Sequence, residues 1–201
     1  MLKKIILVLL TASFAIYFCY NYLDLIVANY IHYNILPYYP WLNNLGFALS
    51  IFGYGILYLS GTFIAYLISF SKYKINPISQ KIKIILYSLI CASIITDIIK
   101  ITVRRLRPSY YFSHHTYGIF QGMQLSFPSG HATIATAFYY LMSRFVPKYK
   151  IIWYALILVT CLARLFHQKH FLGDIIGGVT IGYIVSYYFY ERSRQAQAKS
   201  N

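Results

Sequence analysis

The chain has 201 residues, of which 59% are hydrophobic, 19% aromatic and only 11% charged, a balance that excludes an ordinary soluble domain of this length. A net charge of +14 is a usual cue for nucleic acid, but the charges are distributed in a way that needs none. The three cysteines, Cys19, Cys91 and Cys161, sit inside apolar runs without disulfide or metal-ligand spacing and read as packing residues.

About 20 apolar residues are needed per membrane crossing, and the chain offers six candidate runs, the fourth and fifth of them short. The first spans Ile5 to Tyr20 behind Lys3 and Lys4. A secretory signal has a similar start, but small residues are missing where cleavage would fall, so an uncleaved first helix is expected. The stretch from Asp24 to Asn44, with Pro37, Pro40 and many tyrosines, lacks a continuous apolar run and reads as an interfacial segment. The second run spans Leu45 to Phe70, the third Ile84 to Val103, the fourth His131 to Val146, the fifth Ile151 to Ala163 and the sixth Phe171 to Tyr190. The polar residues Glu191 to Asn201 are expected to form a frayed tail. No repeat or Gly/Ser-rich linker divides the chain, so residues 1–201 read as one domain. The expected fold is all-α, a six-transmembrane-helix bundle.

In a six-helix topology Lys3, Lys4, Lys72, Lys74, Lys81, Lys83, Arg144, Lys148, Lys150, Arg192, Arg194 and Lys199 all fall on one side. Lysine and arginine concentrate in cytoplasmic loops, and an anionic lipid surface suits such clusters. Both termini are therefore expected to be cytoplasmic. The remaining basic residues, Lys100, Arg104, Arg105, Arg107, Arg164 and Lys169, lie on the other side, within or beside three short motifs.

Those motifs read Lys100-x6-Arg107-Pro108, Pro128-Ser129-Gly130-His131 and Arg164-x5-His170-x3-Asp174. Phosphate esters resist attack because their own charge repels a nucleophile, so a catalyst must bring cations, an activated nucleophile and a proton donor. If the third helix continues past Val103, Lys100, Arg104 and Arg107 share one face, and Lys100 and Arg107 form a phosphate clamp. Ser129 and Gly130 precede a helix whose N-terminal amides suit an anion. The Ser129 hydroxyl is either a donor to phosphate or a plain helix cap. His131 is placed as general acid. On one helical turn the Asp174 carboxylate can accept from one nitrogen of His170 and leave the other free to attack phosphorus. Arg164 would be the third cation. The scheme uses no metal and no cofactor.

This constellation resembles the type-2 phosphatidic-acid phosphatase superfamily. The resemblance implies that His170 is the nucleophile, that Asp174 orients it and that His131 is the acid. It further implies an integral protein of a bacterial inner membrane, and the split of basic residues puts the active site at the outward-facing membrane surface, toward the periplasm or exterior. The implied partners are the bilayer and a phospholipid or glycolipid phosphate: lipid A, undecaprenyl diphosphate, phosphatidate or phosphatidylglycerol phosphate. One departure is visible, since the third block usually opens Ser-Arg and here reads Ala163-Arg164. A lipid phosphotransferase is the nearest alternative, and a non-catalytic lipid-phosphate binder or flippase the next.

Other residues near the motifs have plainer readings. Asp97 is expected to form a buried ion pair with a neighbouring cation. Arg104, Arg105 and Lys169 could bind a second phosphate or an anionic headgroup, with screened surface charge as the default. His114, His115 and His167 stay unassigned. Phe112, Phe120 and Phe127 either line a lipid groove or anchor their loop.

Overall fold

The computed structural model describes residues 1–73 and 77–200. Among these there is helix and loop but no strand. In chain order the helices are α1 (Leu2–Phe18), α2 (Asp24–Tyr30), α3 (Trp41–Leu49), α4 (Gly55–Tyr73), α5 (Pro77–Val103), α6 (Pro108–His114), α7 (Gly130–Phe145), α8 (Lys150–Phe166) and α9 (Leu172–Ser200).

Among the described residues, five segments are long and apolar enough to cross a membrane: Leu2–Ile35, Trp41–Ser69, Pro77–His114, Pro147–Phe166 and Leu172–Ala198. The remaining predicted run is α7, which at 16 residues is a turn short of a full crossing by the usual rule. Its sequence is small and apolar on nearly every side, which marks a helix surrounded by protein. From Ala132 to Ala137 every residue is buried. The main core joins Ile85, Leu89 and Ala92 of α5 to Ile134, Ala137, Tyr140 and Leu141 of α7 and Val185 of α9.

Two glycines let α9 lie directly on α7. A Cβ on Gly178 would collide with the Ser129 carbonyl, and one on Gly182 with the Thr133 carbonyl while also approaching Thr136 Cβ to 2.9 Å. Small residues four apart permit such close contact between membrane helices. Gly182→Val is therefore expected to cost about 1–3 kcal/mol through overpacking. Gly61→Ala is the control, since a Cβ there meets nothing within 4 Å. Thermal unfolding in detergent compares them, and equal midpoints for the two variants would contradict the packing account.

The structure corrects three expectations. The predicted interfacial segment is mostly helix: α1 runs through a π-helical turn at Cys19–Leu23 into α2 and a second one at Ile31–Ile35, so one span carries Asp24 into the bundle. Its tyrosines stay exposed, and only the turn around Pro37 and Pro40 is irregular. The predicted frayed tail is also helical as far as Ser200. Its Gln, Ala, Arg and Lys residues are good helix formers, and Arg194 pairs with Glu191 at 3.8 Å. The third predicted helix, α5, does not run on to Arg107. It stops at Val103 because Arg104 takes a left-handed conformation, φ 48°, a common way to end a helix. Arg107 is extended before Pro108, as a residue preceding proline prefers.

The two classes of basic residue lie at opposite ends of the bundle. Lys4 sits over Tyr187, 4.7 Å from the ring centroid, Arg144 over Tyr190 and Lys81 over Phe145. All three mark the end where α7 and α9 finish. The motif residues gather where those helices begin. Lys74 and Asn201 lie outside the described residues, as do the side chains of Lys72 and Lys199.

Candidate active site

The three motifs come from the ends of four elements. Lys100 is in the last turn of α5, Ser129 caps α7, Arg164 is in the last turn of α8, and Asp174 is in the first turn of α9. Hydrogen bonds in the connecting loop hold them in register. Phe120 N–H donates to the Val103 carbonyl at 2.9 Å, Leu106 N–H to Gly118 at 3.2 Å and Ser126 N–H to Arg105 at 2.9 Å. Ser129 N–H donates to the Asp174 carbonyl at 2.9 Å, tying the second motif to the third. His131 lies within Coulombic reach of Arg164, His170, Lys100 and Arg107. The predicted site residues therefore converge, Gly130 among them.

Their individual geometries differ from the sequence expectation in instructive ways. His170 is buried, and its Nδ1 lies 2.8 Å from the Ser126 carbonyl oxygen but 3.7 Å from Asp174 Oδ2. A carbonyl only accepts, so Nδ1 carries the proton and Nε2 keeps its lone pair. The predicted Asp174–imidazole hydrogen bond is thus replaced by one to the backbone, with the carboxylate alongside as a field. Burial pushes the His170 imidazole down to about 4, against the lift from Asp174. The resting ring is neutral at ordinary pH.

Asp174 is fully enclosed and saturated with donors: Arg105 Nη1 to Oδ1 at 2.7 Å, and Ser126 Oγ at 2.6 Å and Phe171 N–H at 2.8 Å to Oδ2. A buried charge requires this degree of satisfaction. Sequence reasoning missed Ser126, whose backbone and side-chain bonds join Arg105, His170 and Asp174. No motif marks it. Arg105, expected by default on the surface, is instead 2% exposed, because the left-handed Arg104 turns the chain so that Arg104 faces out and Arg105 faces in.

The predicted phosphate cations have a different character. Arg164 is buried, Nη1 donates to Ser50 Oγ at 2.6 Å, and Nε has no partner among the described residues. Lys100 Nζ donates to the Leu125 carbonyl at 2.8 Å, and Arg107 Nε to the Gln124 carbonyl at 2.7 Å. None of the three has a carboxylate partner among the described residues, and they are close enough to repel one another. Such a cluster is complementary to a polyanion. Ser129 is the N-cap of α7, its Oγ accepting from Ala132 N–H at 3.4 Å, and so the cap reading holds while its own proton remains available to donate. A Cβ on Gly130 would approach Lys100 Cε no closer than 3.8 Å.

The His131 ring makes no hydrogen bond among the described residues and faces Tyr54, with centroids 6.3 Å apart. It borders two clefts. One of about 610 Å³ is lined by Phe47, Ile51, Tyr54, His131, Arg164 and His167. The other, about 290 Å³, lies against Tyr54, Leu59, Thr96, Asp97 and Ile134. Asp97 is exposed and, among the described residues, has no ion pair; the buried pair expected for it is not formed, because α5 turns this position outward. His167 Nδ1 donates to Asn43 Oδ1 at 2.8 Å. His114 stacks on Tyr110, and Phe112 stacks on His32 with centroids 3.8 Å apart, so Phe112 anchors its loop.

Comparison with known proteins shows the family and the fold. The family model described as PAP2 superfamily matches residues 81–197, a stretch that holds all three motifs and extends beyond them at both ends. Two curated relatives are Lipid A 1-phosphatases, from Rhizobium johnstonii, 25% identical over 103 residues, and from Rhizobium etli, 26% identical over 102. These matches span about half of this chain, 48% and 47%, and 41% and 43% of the relatives. A similar fold occurs in the crystal structure of a transmembrane PAP2 type phosphatidylglycerolphosphate phosphatase from Bacillus subtilis, with a TM-score of 0.73, 18% identity and 96% of both chains covered. With the family match extending over more than half its length, the chain belongs to the PAP2 superfamily.

Proposed function

We propose that this protein hydrolyses a phosphomonoester or diphosphate of an anionic membrane lipid through a phosphohistidine intermediate, with residues 1–201 acting as one integral-membrane unit. The observation that carries this reading is a set of three cations without carboxylate partners among the described residues, Lys100, Arg107 and Arg164, beside two histidines and an apolar cleft. The relatives supply candidate substrates. Lipid A and phosphatidylglycerol phosphate follow from their names; undecaprenyl diphosphate and phosphatidate share the chemistry.

In the proposed reaction the phosphoryl oxygens lie between Lys100, Arg107 and Arg164, with the α7 N-terminus and the Ser129 hydroxyl as further donors. His170 Nε2 attacks phosphorus in line. The P–N bond forms as the bond to the lipid oxygen breaks, and His131 protonates the departing oxygen. The groups charged around His131 are cationic, so an arriving phosphate supplies the negative charge that favours its protonated form. Water then attacks the phosphohistidine, His131 takes its proton, and inorganic phosphate leaves with His170 neutral again. Every step uses the chain's own groups.

The apolar lining of the cleft favours a lipid that arrives from the bilayer over a soluble sugar phosphate. Placing the basic end of the bundle in the cytoplasm puts both termini there and the site on the periplasmic or external surface of a bacterial inner membrane.

The test is phosphate release in detergent, with EDTA present, from lipid A, undecaprenyl diphosphate, phosphatidate and phosphatidylglycerol phosphate. One strongly preferred lipid names the substrate. Loss of all activity to EDTA, restored by a divalent ion, would overturn the metal-free scheme. Absence of release from every lipid would turn attention to transfer between lipids.

A further inference from the structure

Arg105 fills an unspecified position of the first motif and Asp24 lies far outside all three, yet both reach the heart of the site. Arg105 is enclosed by the rings of Tyr20, Tyr117 and Phe171, its guanidinium carbon 4.6–5.3 Å from their centroids. Nη1 donates to Asp174 at 2.7 Å; Nη2 donates to Asp24 Oδ2 at 2.5 Å and to the Tyr117 hydroxyl at 2.7 Å. Tyr117 in turn donates to the Tyr20 carbonyl at 2.8 Å, which fixes the direction of its lone pairs. Asp24, 1% exposed, accepts a second bond from Gly173 N–H at 2.8 Å. The carboxylate of α2 thus answers a free amide in the first turn of α9, directly beside Asp174.

Stability alone is a poor reason for this arrangement. Three charges removed from water cost more than they return unless geometry is excellent, and apolar replacements of buried ionic triads are often neutral or stabilising. The triad does offer position and charge. Arg105 alone would cancel the field of Asp174 at His170, which lies 3.7 Å from that carboxylate. With Asp24 added, two carboxylates face one guanidinium and the cluster carries a net charge of −1, while Arg105 still clamps Asp174. Attack by Nε2 makes the imidazole cationic as the P–N bond forms, and a fixed net negative cluster beside Nδ1 stabilises that charge.

We propose that Arg105 and Asp24 are positioning residues for the phosphoryl transfer, acting through Asp174 on His170 and coupling the first membrane helix to the site. The proposal rests on His170 being the nucleophile. Asp24→Asn keeps the shape and removes the charge; it is expected to lower kcat about 10- to 100-fold, the equivalent of one charge-assisted hydrogen bond, with KM unchanged. Tyr117→Phe keeps the ring against Arg105 and removes only the hydroxyl, so it tests the clamp in a protein whose packing is intact. About a threefold to tenfold loss in kcat is expected there. Single-turnover phosphorylation should slow in the same proportion as kcat in both variants.

The measurement uses the full chain in detergent, with elution and thermal unfolding recorded for each variant and His170→Ala run alongside. If His170→Ala still hydrolyses lipid, the nucleophile reading fails and this proposal with it. If His170→Ala is inactive while folded Asp24→Asn and Tyr117→Phe turn over as fast as wild type, the positioning role alone is overturned. Should Asp24→Asn fail to fold, Tyr117→Phe decides: wild-type kcat in that variant overturns the positioning role, and a kcat loss at constant KM supports it.

Discussion

His170→Ala is expected to elute and unfold like a native protein but to lose at least about 10⁴-fold in kcat, the scale seen when a covalent nucleophile is removed. The wild type should in addition yield a phosphoenzyme that is labile to acid and stable to alkali, and the variant none. Hydrolysis within about tenfold of wild type would remove His170 from the role. The same residue sets a pH expectation. Burial holds its imidazole down to about 4, below the ordinary value near 6.5, so the attacking neutral form persists well into mild acid. The acid limb of kcat/KM, corrected for the substrate's own phosphate ionisation, should fall below about 6.5. A limb at or above that value would show a ring that is charged at rest. An unfolded chain takes this proton below about 6.5, whereas the folded one does not until about 4, so acidification through that window destabilises the fold.

His131→Ala separates the acid from the nucleophile. Lipid alkoxides are poor leaving groups, and a general acid contributes about 10²–10⁴-fold, so lipid turnover should fall by that amount. An aryl phosphate such as p-nitrophenyl phosphate departs without a proton. Phosphorylation of the variant by that substrate should stay within about tenfold of wild type, while release from phosphohistidine, which needs His131 as base, stalls. Phosphoenzyme should then accumulate. Equal losses with lipid and aryl substrates, and no trapped intermediate, would count against His131 as the proton carrier.

The exposed face of the bundle is otherwise lipid-like, and this explains why apolar runs located most helices. Five of the six predicted runs coincide with segments long and apolar enough to cross. Hydrophobic length is a property of each segment by itself. The exceptions arose where neighbours decided the outcome: α7 is short because protein rather than lipid surrounds it, and the stretch after Asp24 continues the first helix with only Asp24, Ala28 and Ile31 buried while its tyrosines stay exposed.

The candidate site shows the same division. Lys100, Arg107, Ser129, Gly130, His131, Arg164, His170 and Asp174 were legible as candidates because phosphate chemistry demands those residue types, and because most sit at a helix end whose position follows from the local sequence. The sequence could not show which acceptor holds His170 Nδ1, since the Ser126 carbonyl is 44 residues away. Nor could it place Arg105, whose direction turns on the left-handed backbone at Arg104. Asp24 and Asp174 are far apart in the chain and meet only across that one guanidinium. Residue type and helix position are written locally, and so the chemistry was readable. Charge pairing across the bundle is a matter of distance in space, and only the packed structure decided which buried charge answers which.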